Sequence, residues 1–220
     1  MSSRSHWLPL WVACVLLPMA ALRGVVPAAS AASDDVAAQC RARIKASDWQ
    51  IAVKLCTQAI ELNPKLTAAW IDRCQAQLAL AKVSEAMADC RRAVELEPEN
   101  SNAYLRLADV KAASVPVDYS GALEDYAKSI ALNPRNGLAY NNRGVTRNSF
   151  KDYKGALADY NMAIELEPGE SRAYINRGET LFLLGQRELA CASFRQGRVL
   201  KPGFKPMPQD FDATYLRTCS

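Results

Sequence analysis

Apolar residues recur three and four apart in a series of short phrases that each end on proline: CTQAIELNP, CRRAVELEP, YAKSIALNP and YNMAIELEP. That spacing puts the apolar side chains on one face of an α-helix. The proline, which lacks an N–H and clashes with the preceding turn, ends it. These prolines fall at 64, 98, 134, 168 and 202, in steps of 34, 36, 34 and 34 residues. The phrase AYNNRG at 139–144 returns as AYINRG at 173–178, one step later. The period predicts five near-equal units: 33–66, 67–100, 101–136, 137–170 and 171–204.

With each proline counted as unit position 32, the rest of the chain comes into register. Position 20 is Ala52, Ala86, Ala122, Ala156 and Ala190. Position 8 holds Cys40, Cys74, Ala108, Gly144 and Gly178, and position 27 holds Ala59, Ala93, Ser129, Ala163 and Gly197. Small residues there let helices approach closely, and the large residues of position 4 (Val36, Trp70, Tyr104, Tyr140 and Tyr174) supply the bulk. On these residues the chain resembles the tetratricopeptide repeat family, with the Asn-Arg-Gly variety of repeat common in bacterial members. The resemblance covers 33–202. It implies an all-α fold, a right-handed α-solenoid of about five antiparallel helix pairs, in which each hairpin buries its apolar face on a neighbour. The two extra residues of unit three lie in KAASVPVDYS at 111–120 and read as a longer turn inside the repeat. The segment 203–220, with a possible short helix over 209–218, reads as a C-terminal cap.

The first residues follow another pattern. Arg4 and His6 precede an apolar run from Trp7 to Leu22, and small residues follow at 27–32. The run is shorter than the roughly 20 residues of a membrane span and contains Pro9 and Pro18. Residues 1–31 therefore read as a signal peptide cleaved near Ala31, which makes the protein exported, periplasmic or secreted. Cys14 is a poor lipidation site, because Trp11 precedes it by three residues and the apolar run continues past it. Loss of Arg4 and Arg23 lowers the net charge from +4 to +2, and the remaining charges are interleaved, so nothing points to nucleic acid.

Export would place six cysteines in an oxidising compartment. Cys40 and Cys56, like Cys74 and Cys90, occupy positions 8 and 24, equally far from the turn of an antiparallel hairpin. Later units carry a small residue and an aromatic in those slots: Ala108 with Tyr126, Gly144 with Tyr160, Gly178 with Phe194. Facing helices would bring such Cα atoms to about 4–5 Å, near disulfide range, so Cys40–Cys56 and Cys74–Cys90 bridges are expected. Buried free thiols are the competing reading. Cys191 and Cys219 remain, and their pairing would pin the tail.

Catalysis finds little support. The single histidine, His6, lies in the segment expected to be removed, which excludes Cys-His and Ser-His-Asp arrangements in the mature chain. There is no P-loop, no dinucleotide-type glycine loop and no Cys-x-x-Cys motif, so neither an enzymatic role nor a cofactor or metal is expected. Arg73, Arg143 and Arg177 at position 7 lie opposite position 23, where Asp89, Asp125 and Asp159 stand, and read as partners in ion pairs between helices.

The resemblance implies that positions 2, 5, 6, 9, 12 and 13 of each first helix line a concave groove for an extended peptide or a partner helix. In unit three these are Asn102, Leu105, Arg106 and Asp109, and in unit four Leu138, Asn141, Asn142, Val145 and Asn148. Unit five supplies Arg172, Ile175, Asn176, Glu179 and Phe182. The set mixes amides, charges and apolar groups expected to be exposed, which suits an extended ligand. The basic clamp of family members that bind chaperone tails is mostly missing, since Leu105, Asp109 and Asn176 occupy its slots. Two functions fit: an envelope or secreted adaptor, monomeric and binding a protein or peptide, or a protein that self-assembles through its ends or flanks.

Overall fold

The computed structural model describes residues 28–201 and Cys219. These residues form five helical hairpins: α1 (Ala28–Lys45) with α2 (Trp49–Leu62), α3 (Thr67–Ala79) with α4 (Val83–Leu96), α5 (Ser101–Ala112) with α6 (Tyr119–Leu132), α7 (Gly137–Ser149) with α8 (Tyr153–Leu166), and α9 (Ser171–Leu183) with α10 (Arg187–Leu200). The described residues form an all-α, right-handed solenoid of five antiparallel helix pairs. Helix α1 begins ahead of the expected unit boundary at Ser33. Apart from Ala28–Ala31 and Cys219, the expected signal peptide and capping tail lie outside the described residues. Among the described residues, no helix is long and apolar enough to cross a membrane.

Local chemistry sets the ends of the helices. Each second helix stops before a proline, and several helices start on a side chain that accepts a free N–H. Asp118 accepts from Gly121 N at 2.9 Å, Asp152 from Gly155 N at 3.0 Å, and Asn100 from Asn102 N at 3.0 Å. Within four hairpins the chain reverses through one left-handed residue: Ser47 (φ 61), Ala81 (φ 58), Lys151 (φ 64) or Gly185 (φ 73). Only glycine takes that conformation freely. Each of the other three carries a cost on the order of 1 kcal/mol. Unit three uses its extra residues instead, in a turn where Ser114 Oγ donates to the Lys111 carbonyl at 2.7 Å and accepts from Asp118 N at 3.2 Å.

The core runs along the seam inside and between hairpins. Ala52, Ala86, Ala122, Ala156 and Ala190 are fully buried, which lets paired helices close up. Gly144 lies under the Tyr160 ring, where a Cβ would fall 2.6 Å from Cε1. Gly178 stands likewise under Phe194. In units one and two the same slots hold cysteines at disulfide distance, with Cα–Cα separations of 5.4 Å for Cys40–Cys56 and 5.6 Å for Cys74–Cys90. Cys191 and Cys219 form a third such pair at 5.3 Å. The first helices α1, α3, α5, α7 and α9 touch one another in succession, whereas the second helices do not. The stack therefore curves, with the first helices on its concave side and gaps between the second helices on its convex side.

Candidate functional site

The concave face is made by first helices, and a chain of hydrogen bonds runs across it. Asp109 of α5 is its hub: it accepts from Arg106 at 3.0 Å, from the Tyr126 hydroxyl at 2.7 Å and from Asn142 Nδ2 of α7 at 2.9 Å. Asn142 Oδ1 then accepts from Asn141 Nδ2 at 3.1 Å, and Asn141 Oδ1 from Asn176 Nδ2 of α9 at 2.9 Å. Farther along, Thr180 donates to Asn148 Oδ1 at 3.1 Å. Three hairpins are thereby tied together through groove side chains. Burial and the neighbouring Asp109 carboxylate push the Tyr126 phenol far above its usual range, so it stays a neutral donor.

Part of the expected groove lining is core instead. Leu105 and Ile175 are only 1% and 3% exposed: Leu105 packs with Ala108, Ala122, Tyr126 and Ala139, and Ile175 with Leu181, Ala190 and Phe194. Asn141, at the same unit position, is also buried. Position 5 faces inward: Leu105 shares its cluster with Ala139 of the next hairpin, whereas Ile175, in the last described hairpin, is covered by α10 of its own. Leu138 and Phe182 are half-buried against the same clusters, whereas Asn102 and Val145 face solvent. Arg172 is exposed but engaged with Glu170, at 3.1 Å from Oε1 and 3.2 Å from Oε2. That bond raises the guanidinium pKa and lowers that of the carboxyl. Glu179 has no hydrogen-bond partner among the described residues, and burial pushes its carboxyl up to about 7.

A cleft of about 410 Å³ opens in the N-terminal half of the groove, lined among others by Arg41 of α1, Ala68, Ile71, Asp72 and Gln75 of α3, and Asn102 and Arg106 of α5. Sequence reasoning began the groove at unit three and missed this part. Its signal was present, because Ala68, Ile71, Asp72 and Gln75 occupy positions 2, 5, 6 and 9 of unit two. Arg41 pairs with Asp72 at 3.2 Å. Burial nevertheless raises the Asp72 pKa, with Arg41 and Arg106 pulling against it.

Ion pairs between helices account for two of the three position 7 arginines. Arg73 binds Asp89 through two bonds of 2.7 and 2.8 Å, and Arg143 binds Asp159 at 2.9 and 2.7 Å. Arg147 adds a third contact to Asp159 at 2.9 Å. Asp125 pairs with Lys111 at 2.6 Å, because position 7 of its own unit is Leu107. Arg177 meets Ser193 and Asn161 rather than a carboxylate.

The tetratricopeptide repeat pattern matches residues 118–171, and a second pattern of the same description matches 171–197. The chain thus carries tetratricopeptide repeats. Among solved structures it is similar to TTC0263, a thermophilic tetratricopeptide repeat protein of Thermus thermophilus, at 18% identity and a TM-score of 0.73, over 84% of this chain and 98% of that one. It is similar also to the type IV pilus biogenesis factor PilW, at 17% identity and a TM-score of 0.71, over 79% of this chain and 80% of that one. A third is YrrB, a tetratricopeptide repeat protein with an unusual peptide-binding site, at 18% identity and a TM-score of 0.56, over 80% of this chain and 93% of that one. No curated protein sequence matches the chain. At these identities the structures speak for the fold alone.

Proposed function

We propose that the protein is an exported, non-catalytic adaptor of the cell envelope that binds an extended segment or helix of a partner in its concave groove. The observation that carries the reading is the groove itself: a cleft of about 410 Å³ between α1, α3 and α5, continuous with the polar chain through Asp109, Asn142 and Asn176. Amides and charges supply hydrogen bonds to a ligand backbone, and Val145 and Phe182 offer apolar contacts. Export draws support from three cysteine pairs at disulfide distance, a state that persists in oxidising compartments. Together with the pattern of residues 1–31, it makes that segment the proposed signal peptide and 203–220 the proposed cap.

The test is capture from an envelope extract by the oxidised protein, beside a Gln75→Arg, Asn102→Glu, Val145→Glu variant whose circular dichroism and mass are unchanged. The three positions lie on the groove and outside the Asp109 network. A partner retained by the first protein and lost by the second supports groove binding. Identical captures, or capture of the bait alone, overturn it, and the latter would favour self-association.

A further inference from the structure

Arg73, Arg143 and Arg177 occupy equivalent places in units two, four and five, on first helices. In two of these places the guanidinium is neutralised by a buried aspartate, Asp89 or Asp159. In unit five Ser193 stands where the aspartate would be. Arg177 Nε donates to the Ser193 hydroxyl at 3.1 Å and NH1 to Asn161 Oδ1 at 2.9 Å, and no carboxylate faces it among the described residues. Burial without a counter-ion lowers the pKa of this guanidinium. It lines an opening of about 260 Å³ between the second helices α8 and α10, walled by Leu157, Leu181, Leu189 and Ala192. Leu189 is 58% exposed there.

We propose that this opening is a second docking site, on the convex side and independent of the groove, for an acidic side chain that a partner protein presents between apolar ones. A planar guanidinium can donate two hydrogen bonds to one carboxylate, and among the described residues no acceptor meets the Arg177 NH2 group. The leucines lining the same opening match apolar neighbours of that carboxylate, and a partner seated over them would displace water from the pair. The incoming acid would take the role that Asp89 and Asp159 fill internally.

The experiment is chemical-shift mapping on the isotopically labelled, oxidised protein, titrated with acetyl-Leu-Glu-Leu-Leu-amide, its Gln counterpart, and acetate alone. The Glu peptide is expected to move the Arg177 side-chain and the Leu189 and Ala192 signals, and to bind at least tenfold more tightly than the other two. Ser193→Asp restores the internal counter-ion, so it should weaken Glu-peptide binding at least tenfold while holding or raising the melting temperature. The groove variant should bind the peptide unchanged, which separates this site from the groove reading. Equal binding of the Glu and Gln peptides, undiminished binding to Ser193→Asp, absence of shifts, or an acetate response as large as that of the peptide, an adventitious ion only, would each overturn the proposal.

Discussion

Alanine at Gly178 tests how closely α9 and α10 approach. On helix propensity alone, glycine to alanine in a helix interior stabilises by about 1 kcal/mol. Here the new Cβ would stand 2.8 Å from Phe194 Cζ and closer still to two other ring carbons, against an optimum of about 3.5–4 Å for carbon contacts. Phe194 is 4% exposed and shares its cluster with Ile175, Leu181 and Ala190, so the ring has nowhere to swing. Overpacking of this kind costs about 1–3 kcal/mol, and the required shift of a whole ring places it at the top of that range. The expected net loss is about 2 kcal/mol, or a fall in melting temperature of about 4–8 °C for a chain of this size. Urea unfolding followed by circular dichroism measures it. Phe194→Leu in the same chain relieves the clash, so the double variant should be more stable than the sum of the single effects by about 1 kcal/mol or more. A more stable Gly178→Ala protein, or strict additivity, would refute the close approach.

Other consequences can be measured on the same material. Replacing Cys74 and Cys90 together by alanine opens a bridge spanning sixteen residues and should cost about 3 kcal/mol. Non-reducing peptide mapping of the purified protein should show Cys40 with Cys56 and Cys74 with Cys90, and free thiols there would contradict the pairing. Asp159→Ala strands Arg143 and Arg147 beside a buried position; the loss should be about 2–3 kcal/mol, below the 3–5 of a fully buried pair because the arginine ends retain some water. Retention of stability within error would mean that the three-way contact is not formed. Glu179, raised from 4.5 to about 7, contributes stability below its unfolded pKa that is lost as pH rises through about 7. Glu179→Gln should therefore match the wild type near pH 4 and exceed it by about 1–2 kcal/mol at pH 8, a figure reduced for partial exposure. A difference that does not change with pH would count against a desolvated carboxyl.

The sequence by itself determined the period, the class of fold and the partners within each hairpin. These depend on short-range spacing: apolar residues three and four apart choose the helix, proline ends it, and positions 8 and 24 face each other because both lie equally far from one turn. Cys40 with Cys56 and Gly144 with Tyr160 are legible on that ground alone. What tertiary structure decided lies between hairpins. Leu105, read from its unit position as groove lining, is buried in a cluster that includes Ala139 of the next hairpin, and the tightness of that cover depends on how closely successive hairpins approach. The cleft beside Arg41 and Asp72 and the opening beside Arg177 arise likewise from the angle at which successive hairpins pack. Arg172 reads as a groove cation in the sequence, yet it folds back on Glu170 two residues away. Side-chain rotamers and the spacing of neighbouring helices settle such competition, and neither is encoded in a repeat pattern.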